Sequence, residues 1–165
     1  MLNRRTFSVY SVAATLGAPA VAQTEALRIV VGFPAGGIVD VIARELGEAM
    51  KPHLGGRSIV VEARPGAGGR IGVAAVRTAP ADGNTLLFTP SSIMTLYPHV
   101  FSKLGYDTLK DFVPVSPVCL SANALVVGMH VRVNTLSEFI AWCKVNPKEA
   151  TYASPGAGSA PHFLG

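Results

Sequence analysis

Three glycine-rich turns carry most of the residues in this chain that are placed to do chemistry. The first is Gly32-Phe33-Pro34-Ala35-Gly36-Gly37, which follows an apolar run at 28–31 and leads into a helical pattern. The second is Arg64-Pro65-Gly66-Ala67-Gly68-Gly69. The third is Ser154-Pro155-Gly156-Ala157-Gly158-Ser159, with His162 close behind. A turn between a strand and a helix exposes unpaired backbone N–H groups at the positive end of the helix dipole. Three chemistries suit such a place: holding phosphate, activating a nucleophile or cradling a carboxylate.

Spacing separates them. A phosphate loop needs Gly-x4-Gly-Lys-Ser/Thr. Gly32 and Gly37 have that separation, but Ile38 and Val39 stand in the Lys and Ser/Thr positions. A dinucleotide fingerprint needs Gly-x-Gly-x-x-Gly. Gly66 and Gly68 fit, and Ile71 occupies the third glycine's place. A nucleophile elbow needs Gly-x-Ser-x-Gly. Ser159 is flanked by Gly158, Ala160 and Pro161 instead. A hydrolase built on Ser159 and His162 stays as an alternative, against the plainer reading of Ser159 as a helix N-cap. His53, His99 and His130 are isolated and show no metal-ligand spacing.

A carboxylate asks for less: small residues that let amides approach, and hydroxyls to add hydrogen bonds. The amides near Ala35, Gly36 and Gly37 answer that need, with Gly158 and Ser159 opposite. Asp40 caps the first loop or selects among anions. Ser91 and Ser92 follow a strand and line the same rim. The competing reading of these glycines is that they only make tight turns.

The elements that must position these residues follow a strand–turn–helix rhythm. Residues 28–31 read as a strand. Val39, Ile42, Ala43, Leu46, Ala49 and Met50 recur at helical spacing until Pro52 and Gly55-Gly56 end the helix. Residues 58–62 form a second strand, 71–78 a short helix and 85–88 a third strand. Residues 97–111 read as irregular. Two more strands are expected at 113–120 and 124–128, the first placed at an edge by Pro114 and Pro117. Thr135-Leu136-Ser137-Glu138 is a capping box. Its helix presents Leu136, Phe139, Ile140 and Cys143 on one face and stops at Asn146-Pro147. Residues 151–153 read as a last short strand. Alternation of this kind predicts an α/β fold with a largely parallel sheet, with ligands at the carboxyl ends of the strands.

The chain starts like an exported protein. Arg4-Arg5, an apolar stretch at 7–18 and Ala20-Val21-Ala22 have the order of a secretory signal peptide over residues 1–22. Asn3-Arg4-Arg5-Thr6-Phe7 is twin-arginine-like. The net charge is +4. Loss of Arg4 and Arg5 leaves a mild, scattered balance, which argues against a nucleic-acid partner. No later apolar run is long enough for a membrane helix. Cys119 and Cys143 suit free thiols better than a disulfide, and no metal site is expected.

In this order, Val31-Gly32-Phe33-Pro34-Ala35-Gly36-Gly37 with Asp40, Val60-Val61-Glu62, Arg64 to Gly69, Ala81-Asp82-Gly83-Asn84-Thr85-Leu86-Leu87, Tyr106-Asp107-Thr108-Leu109-Lys110-Asp111-Phe112, and Tyr152 to Ser159 with His162 form a recognisable series. The series resembles the periplasmic substrate-binding receptors of tripartite tricarboxylate transporters, the Bug-type solute-binding proteins. That resemblance implies a two-lobed, periplasmic-binding-protein-like (type II) α/β fold with a ligand cleft and a hinge. Residues 23–120 correspond to a first lobe and 121–165 to the start of a second. The resemblance implies that both lobes are incomplete here, since family members are longer and the chain would stop inside the second lobe. It implies a non-enzyme with no cofactor, located in the periplasm. Such a receptor binds a small carboxylate or dicarboxylate and hands it to the membrane subunits of the transporter. The ligand residues it implies are Phe33, Ala35, Gly36, Gly37, Asp40, Ser91 and Ser92 on one side. Opposite them stand Ser154, Gly156, Gly158, Ser159 and His162. Ala63 stands where relatives commonly carry Asn, and Phe33 replaces a frequent Tyr, which removes one hydroxyl. A truncated product without independent function is the other alternative.

Overall fold

The computed structural model describes residues 25–157 and 159–165. The expected signal peptide at 1–22 and the expected ligand residue Gly158 lie outside the described residues. The core of the molecule is a three-stranded sheet of β1 (Leu27–Val31), β2 (Ile59–Ala63) and β3 (Thr85–Phe88), in the order β2-β1-β3. Both pairings are parallel, with Val31 opposite Ala63 on one side and Phe88 on the other. All three strands therefore end at one rim, and the loops that follow them share it.

Apart from Arg28 near its start, which pairs with Glu62, the central strand is apolar on both faces because both are covered. Helix α1 (Ile38–Met50) packs on one face, where Ile29, Val31 and Ala43 form a buried cluster with Phe33, Val39, Ile59, Val61 and Phe88. Gly47 lets this helix lie close, since a Cβ there would stand 3.3 Å from Ile59 Cγ2. Pro52 enters a single 3-10 turn after α1, and Gly55 and Gly56 follow at positive φ, which ends the helix where the sequence predicts. Helix α2 (Arg70–Arg77) covers the other face. There Val73, Ile93 and Tyr97 form a second buried cluster with Leu87, Met94, Phe101 and Tyr106. Strand alternation explains the division: Leu87 lies beside Val30 and Phe88 beside Val31, so neighbours in β3 serve opposite cores. Full burial of each such aliphatic side chain is worth about 1.5–3 kcal/mol, so the two clusters dominate the stability of this region.

After β3 come three short helices: α3 (Ser91–Thr95), α4 (Tyr97–Val100) and α5 (Thr108–Asp111). The last two lie in residues 97–111, where an irregular segment was expected. Asp107 caps α5 by accepting from the amides of Leu109 and Lys110. These one-turn pieces have too few residues for helical periodicity to show. They are fixed by what they bury, Ile93 and Tyr97 above all.

The strands expected at 113–120, 124–128 and 151–153 do not form among the described residues. Val113, Val115, Leu120, Val126 and Met129 are exposed. Their composition favours strands, but a strand needs a partner for its N–H and C=O groups, and no ladder joins these segments. Helix α6 (Leu136–Val145) does form, with the Thr135 hydroxyl accepting from the Glu138 amide. The reciprocal bond of the capping box is shifted by one residue: the Glu138 carboxylate accepts from the Asn134 amide at 2.7 Å. The face of α6 carrying Leu136 and Ile140 is left exposed. Phe139 and Trp142 stack on each other with centroids 6.3 Å apart. Helix α7 (Ala160–Leu164) closes the described chain.

Candidate functional site

The rim at the carboxyl ends of β1, β2 and β3 gathers the first two glycine turns and residues 89–92. The first turn is tight: the Gly37 amide donates to the Pro34 carbonyl at 3.2 Å, and Gly36 has φ +79°. Gly37 is the N-cap of α1 and supplies no side-chain cap. Among the described residues no acceptor pairs with the amides of Ile38, Val39 or Asp40, which are the first three of the helix. Those donors, at the positive end of a 13-residue helix, make the anion-attracting feature expected from the sequence.

Asp40 works inward rather than toward the rim. It is 2% exposed, and its Oδ2 accepts from the Gly36 amide at 2.9 Å. Arg44 grips the same carboxylate with Nε on Oδ2 at 2.9 Å and Nη2 on Oδ1 at 3.0 Å. The Arg44 fork, and then the Gly36 amide, hold the Asp40 carboxyl below its ordinary range. Of the two roles expected for Asp40, capping the loop is the one seen. The Gly36 amide is consequently engaged inside the protein. Because Arg44 balances the charge, the start of α1 does not repel an incoming anion.

Phe33 also faces inward. Its ring packs against both apolar clusters and lies 3.3 Å from where a Cβ of Gly69 would stand. A tyrosine hydroxyl at this position would have to find a partner there or at the rim. Ala35, Gly36 and Gly37 are exposed on the loop, as are Ile38 and Ser91, while Ser92 is half-buried. Ala63, at the end of β2, is half-buried.

The second turn, which the sequence places on the rim but without a ligand residue, has four successive residues at positive φ. Gly66, Ala67, Gly68 and Gly69 all have positive φ, at 132°, 49°, 65° and 92°. Its carbonyls are held from below. Tyr97 Oη donates to the Gly68 carbonyl at 2.9 Å, and Arg70 Nε donates to the Ala67 carbonyl at 2.9 Å. Arg70 in turn stacks on the Phe101 ring, 4.2 Å from its centroid. The signal available in the sequence was a run of four small residues after Pro65. Of its two anchors, Arg70 is three residues from Ala67, while Tyr97 lies 29 residues from Gly68, too far for any local pattern to show. Thr89, at the end of β3, is another rim residue not singled out in advance: its hydroxyl is buried with no partner among the described residues.

The third turn does not follow a strand, but it still reaches the rim. A Cβ on Gly68 would stand 3.5 Å from the Ala157 carbonyl oxygen. Ser159 caps α7: its hydroxyl donates to the Gly156 carbonyl at 2.7 Å and accepts from the His162 amide at 3.4 Å. The His162 ring faces elsewhere, with Nδ1 at 3.5 Å from both Ser154 Oγ and Tyr152 Oη. Tyr152 Oη also donates to the His162 carbonyl at 2.8 Å. Ser159 and His162 are therefore a cap and its helix, not a nucleophile and its base, and the hydrolase alternative loses its geometry. Among the described residues no hydrogen bond joins this turn to the first loop. The structure thus brings the third turn to the second, at Gly68 and Ala157, while the expected partners in the first turn stand along the same rim.

Two open hollows lie away from these loops. One, of about 140 Å³, is floored by Ile59 and Val61 beside Arg44 and Glu48. The other, of about 270 Å³, sits at the opposite end of the sheet, between Glu25, Arg28, Asp82 and Asn84. Among the described residues no cluster of three His, Cys, Asp or Glu side chains is placed to hold a metal, and Cys119 and Cys143 are unpaired. No described helix is long and apolar enough to cross a membrane.

Comparison with known proteins bears on the family and the fold. The family model described as "Tripartite tricarboxylate transporter family receptor" matches residues 42–164. A UPF0065 protein of Bordetella bronchiseptica is 37% identical over 165 residues, which is 98% of this chain and 48% of that protein. The protein BugT of Bordetella pertussis is 36% identical over 160 residues, covering 94% and 49%. Among solved structures, an R. palustris protein with adipate shares 31% identity at a TM-score of 0.74, covering 82% of this chain and 45% of its own. MatC of Rhodopseudomonas palustris with bound malate shares 29% at 0.69, covering 83% and 46%. The periplasmic binding protein BugD shares 27% at 0.64, covering 85% and 46%. The chain spans about half the length of the curated relatives it matches. Its fold is the α/β fold of periplasmic binding proteins. By sequence, family model and fold, the chain belongs to the tripartite tricarboxylate transporter receptor family, the Bug-type solute-binding proteins.

Proposed function

We propose that this chain is the ligand-capturing part of an exported receptor for a small carboxylate or dicarboxylate, which it delivers to the membrane subunits of a tripartite tricarboxylate transporter in the periplasm. The observation that carries this reading is the rim itself. Three parallel strands end together, and the start of α1 offers the amides of Ile38, Val39 and Asp40, unpaired among the described residues, beside the exposed Ala35-Gly36-Gly37 turn. Backbone donors at a helix start suit a carboxylate without the lysine and hydroxyl that a phosphate loop adds. Relatives of this fold hold adipate and malate, both dicarboxylates. Residues 23–120 serve as one lobe and 121–165 as the beginning of the other. The residues 154–159 turn, with Ser154, Gly156, Gly158, Ser159 and His162, then acts as the second jaw. Closure of one lobe on the other excludes water from a bound carboxylate.

Isothermal titration of the chain from Gln23 with adipate, malate and a monocarboxylate tests this. Saturable one-to-one binding of a dicarboxylate, weakened at least tenfold by Gly36→Val, supports it. No heat from any of the acids, or unchanged affinity in Gly36→Val, sinks it.

A further inference from the structure

The second turn has a feature that ligand capture by the first turn does not use. Its four positive-φ residues would relax if left alone: a non-glycine residue in the left-handed region, as at Ala67, is uphill by about 1 kcal/mol or more. What over-determines the turn is a side chain from far along the chain. Tyr97 is 1% exposed, inside the cluster with Val73 and Ile93, yet its hydroxyl reaches the Gly68 carbonyl at 2.9 Å. The ring is further fixed edge-on against Phe101, at 4.9 Å between centroids. Gly68 is squeezed between this hydroxyl and the third turn: a Cβ there would stand 2.8 Å from Tyr97 Oη and 3.5 Å from the Ala157 carbonyl oxygen. In a trans peptide the C=O and N–H point in opposite directions. With the Ala67 carbonyl turned to Arg70, the Gly68 amide is turned away from Arg70, and among the described residues it has no acceptor.

We propose that Tyr97 is a positioning residue for ligand capture: from within the core its hydroxyl fixes the Gly68 carbonyl, and so holds the 66–69 turn in the shape on which the Ala157 turn closes. Arg70 performs the same service for the Ala67 carbonyl. The ligand contact is made by the turns, and Tyr97 acts through Gly68 alone. This inference rests on the receptor reading above, so its test includes one readout that needs no ligand.

The test compares the chain from Gln23 with Tyr97→Phe, which keeps the ring and removes the hydroxyl, and with Gly68→Asn. Asparagine tolerates the left-handed region, and its Cβ would displace the Tyr97 hydroxyl. Dicarboxylate affinity by titration, melting temperature and hydrogen exchange of the 66–69 amides are measured on all three proteins. The expected result has three parts. Exchange at Gly69, whose amide donates to the Gly66 carbonyl at 3.0 Å, rises at least fivefold in both variants. Affinity for the dicarboxylate that the wild type binds falls three- to tenfold. The melting temperature of Tyr97→Phe moves by only a few degrees, so loss of affinity outruns loss of stability. Unchanged exchange in either folded variant overturns the proposal, and so does faster exchange with unchanged affinity. A wild type that binds no dicarboxylate defeats the receptor reading instead, and the exchange arm then decides the positioning role by itself.

Discussion

Gly72 in α2 sits directly on Gly32 at the end of β1: a Cβ on Gly72 would stand 2.7 Å from Gly32 Cα and 3.0 Å from its amide nitrogen. Gly32 is pressed by the same segment at a second point, since a Cβ on Gly32 would meet the Gly69 carbonyl oxygen at 2.5 Å. Two backbones touch here without side chains between them, and both neighbours are main-chain atoms that cannot swing aside. This contact brings the first and second turns onto one rim.

Gly72→Ala should therefore destabilise the protein by about 1–3 kcal/mol, the usual cost of forcing an extra carbon into a packed site. Gly83→Ala is the matched control. Gly83 has φ +79° with open space around it, so it carries backbone strain without collision. Urea unfolding of both variants checks the contrast, and a Gly72→Ala variant as stable as wild type would show that the contact can relax at no cost.

The acid limb of stability should report on Asp40 and Glu62. Arg44 and the Gly36 amide lower the Asp40 pKa from 3.8, and Arg28, then Arg64, lower that of Glu62 from 4.5. A carboxylate with a lowered pKa in the folded state adds stability that is present above its unfolded pKa. That stability is lost as pH falls through the folded value. Melting temperature should accordingly drop below about pH 4. In Asp40→Asn the drop should be shallower, from a lower starting point at pH 7. An acid limb of identical slope in wild type and variant would show that Asp40 does not contribute to it.

At the alkaline end the phenols should act. Burial pushes Tyr106 up to about 12 and raises Tyr97 as well. Tyr106 donates to the Ile93 carbonyl, so its neutral form is the one built into the fold. In the unfolded chain a tyrosine ionises near its ordinary value of 10.0, so stability is intact below that pH and falls as pH rises toward 12. Tyr106→Phe should lower stability at neutral pH and flatten the decline between pH 10 and 12. Chemical unfolding at a series of alkaline pH values measures it, and a decline of the same steepness in the variant would count against this origin.

Ser159→Ala should cost about 0.5–2 kcal/mol of local helix stability, because the hydroxyl caps α7 at the His162 amide. Helical signal from residues 160–164 by NMR should fade, while hydrolysis of simple esters should be the same background in wild type and variant. Ester turnover abolished by Ser159→Ala would revive the hydrolase reading.

Legibility from the sequence divides along the reach of each interaction. Local rules located β1, α1, β2, α2 and β3 to within a residue or two, because apolar periodicity and the Pro and Gly stops act over a few positions. They located the caps at Thr135 and Ser159 for the same reason. The exposed turn at 35–37 before α1 was also legible, since Pro and Gly mark such a turn within a few positions. Strands at 113–120, 124–128 and 151–153 were not, because apolar and β-branched composition states a preference that only a partner strand fulfils.

By itself, the sequence determined the strand–turn–helix order, the glycine turns and the resemblance to carboxylate receptors. All of these are properties of neighbouring residues. Only the tertiary structure decided where the functional groups face. It turned Asp40 inward onto Gly36 and Arg44, put the Phe33 ring into both cores and gave the Gly68 carbonyl to Tyr97. Gly68 and Tyr97 are 29 residues apart, and only packing α4 and the second turn against the same sheet brings them within hydrogen-bond reach. Burial then makes the pairing obligatory, since a buried hydroxyl or carbonyl left without a partner costs about 1–3 kcal/mol.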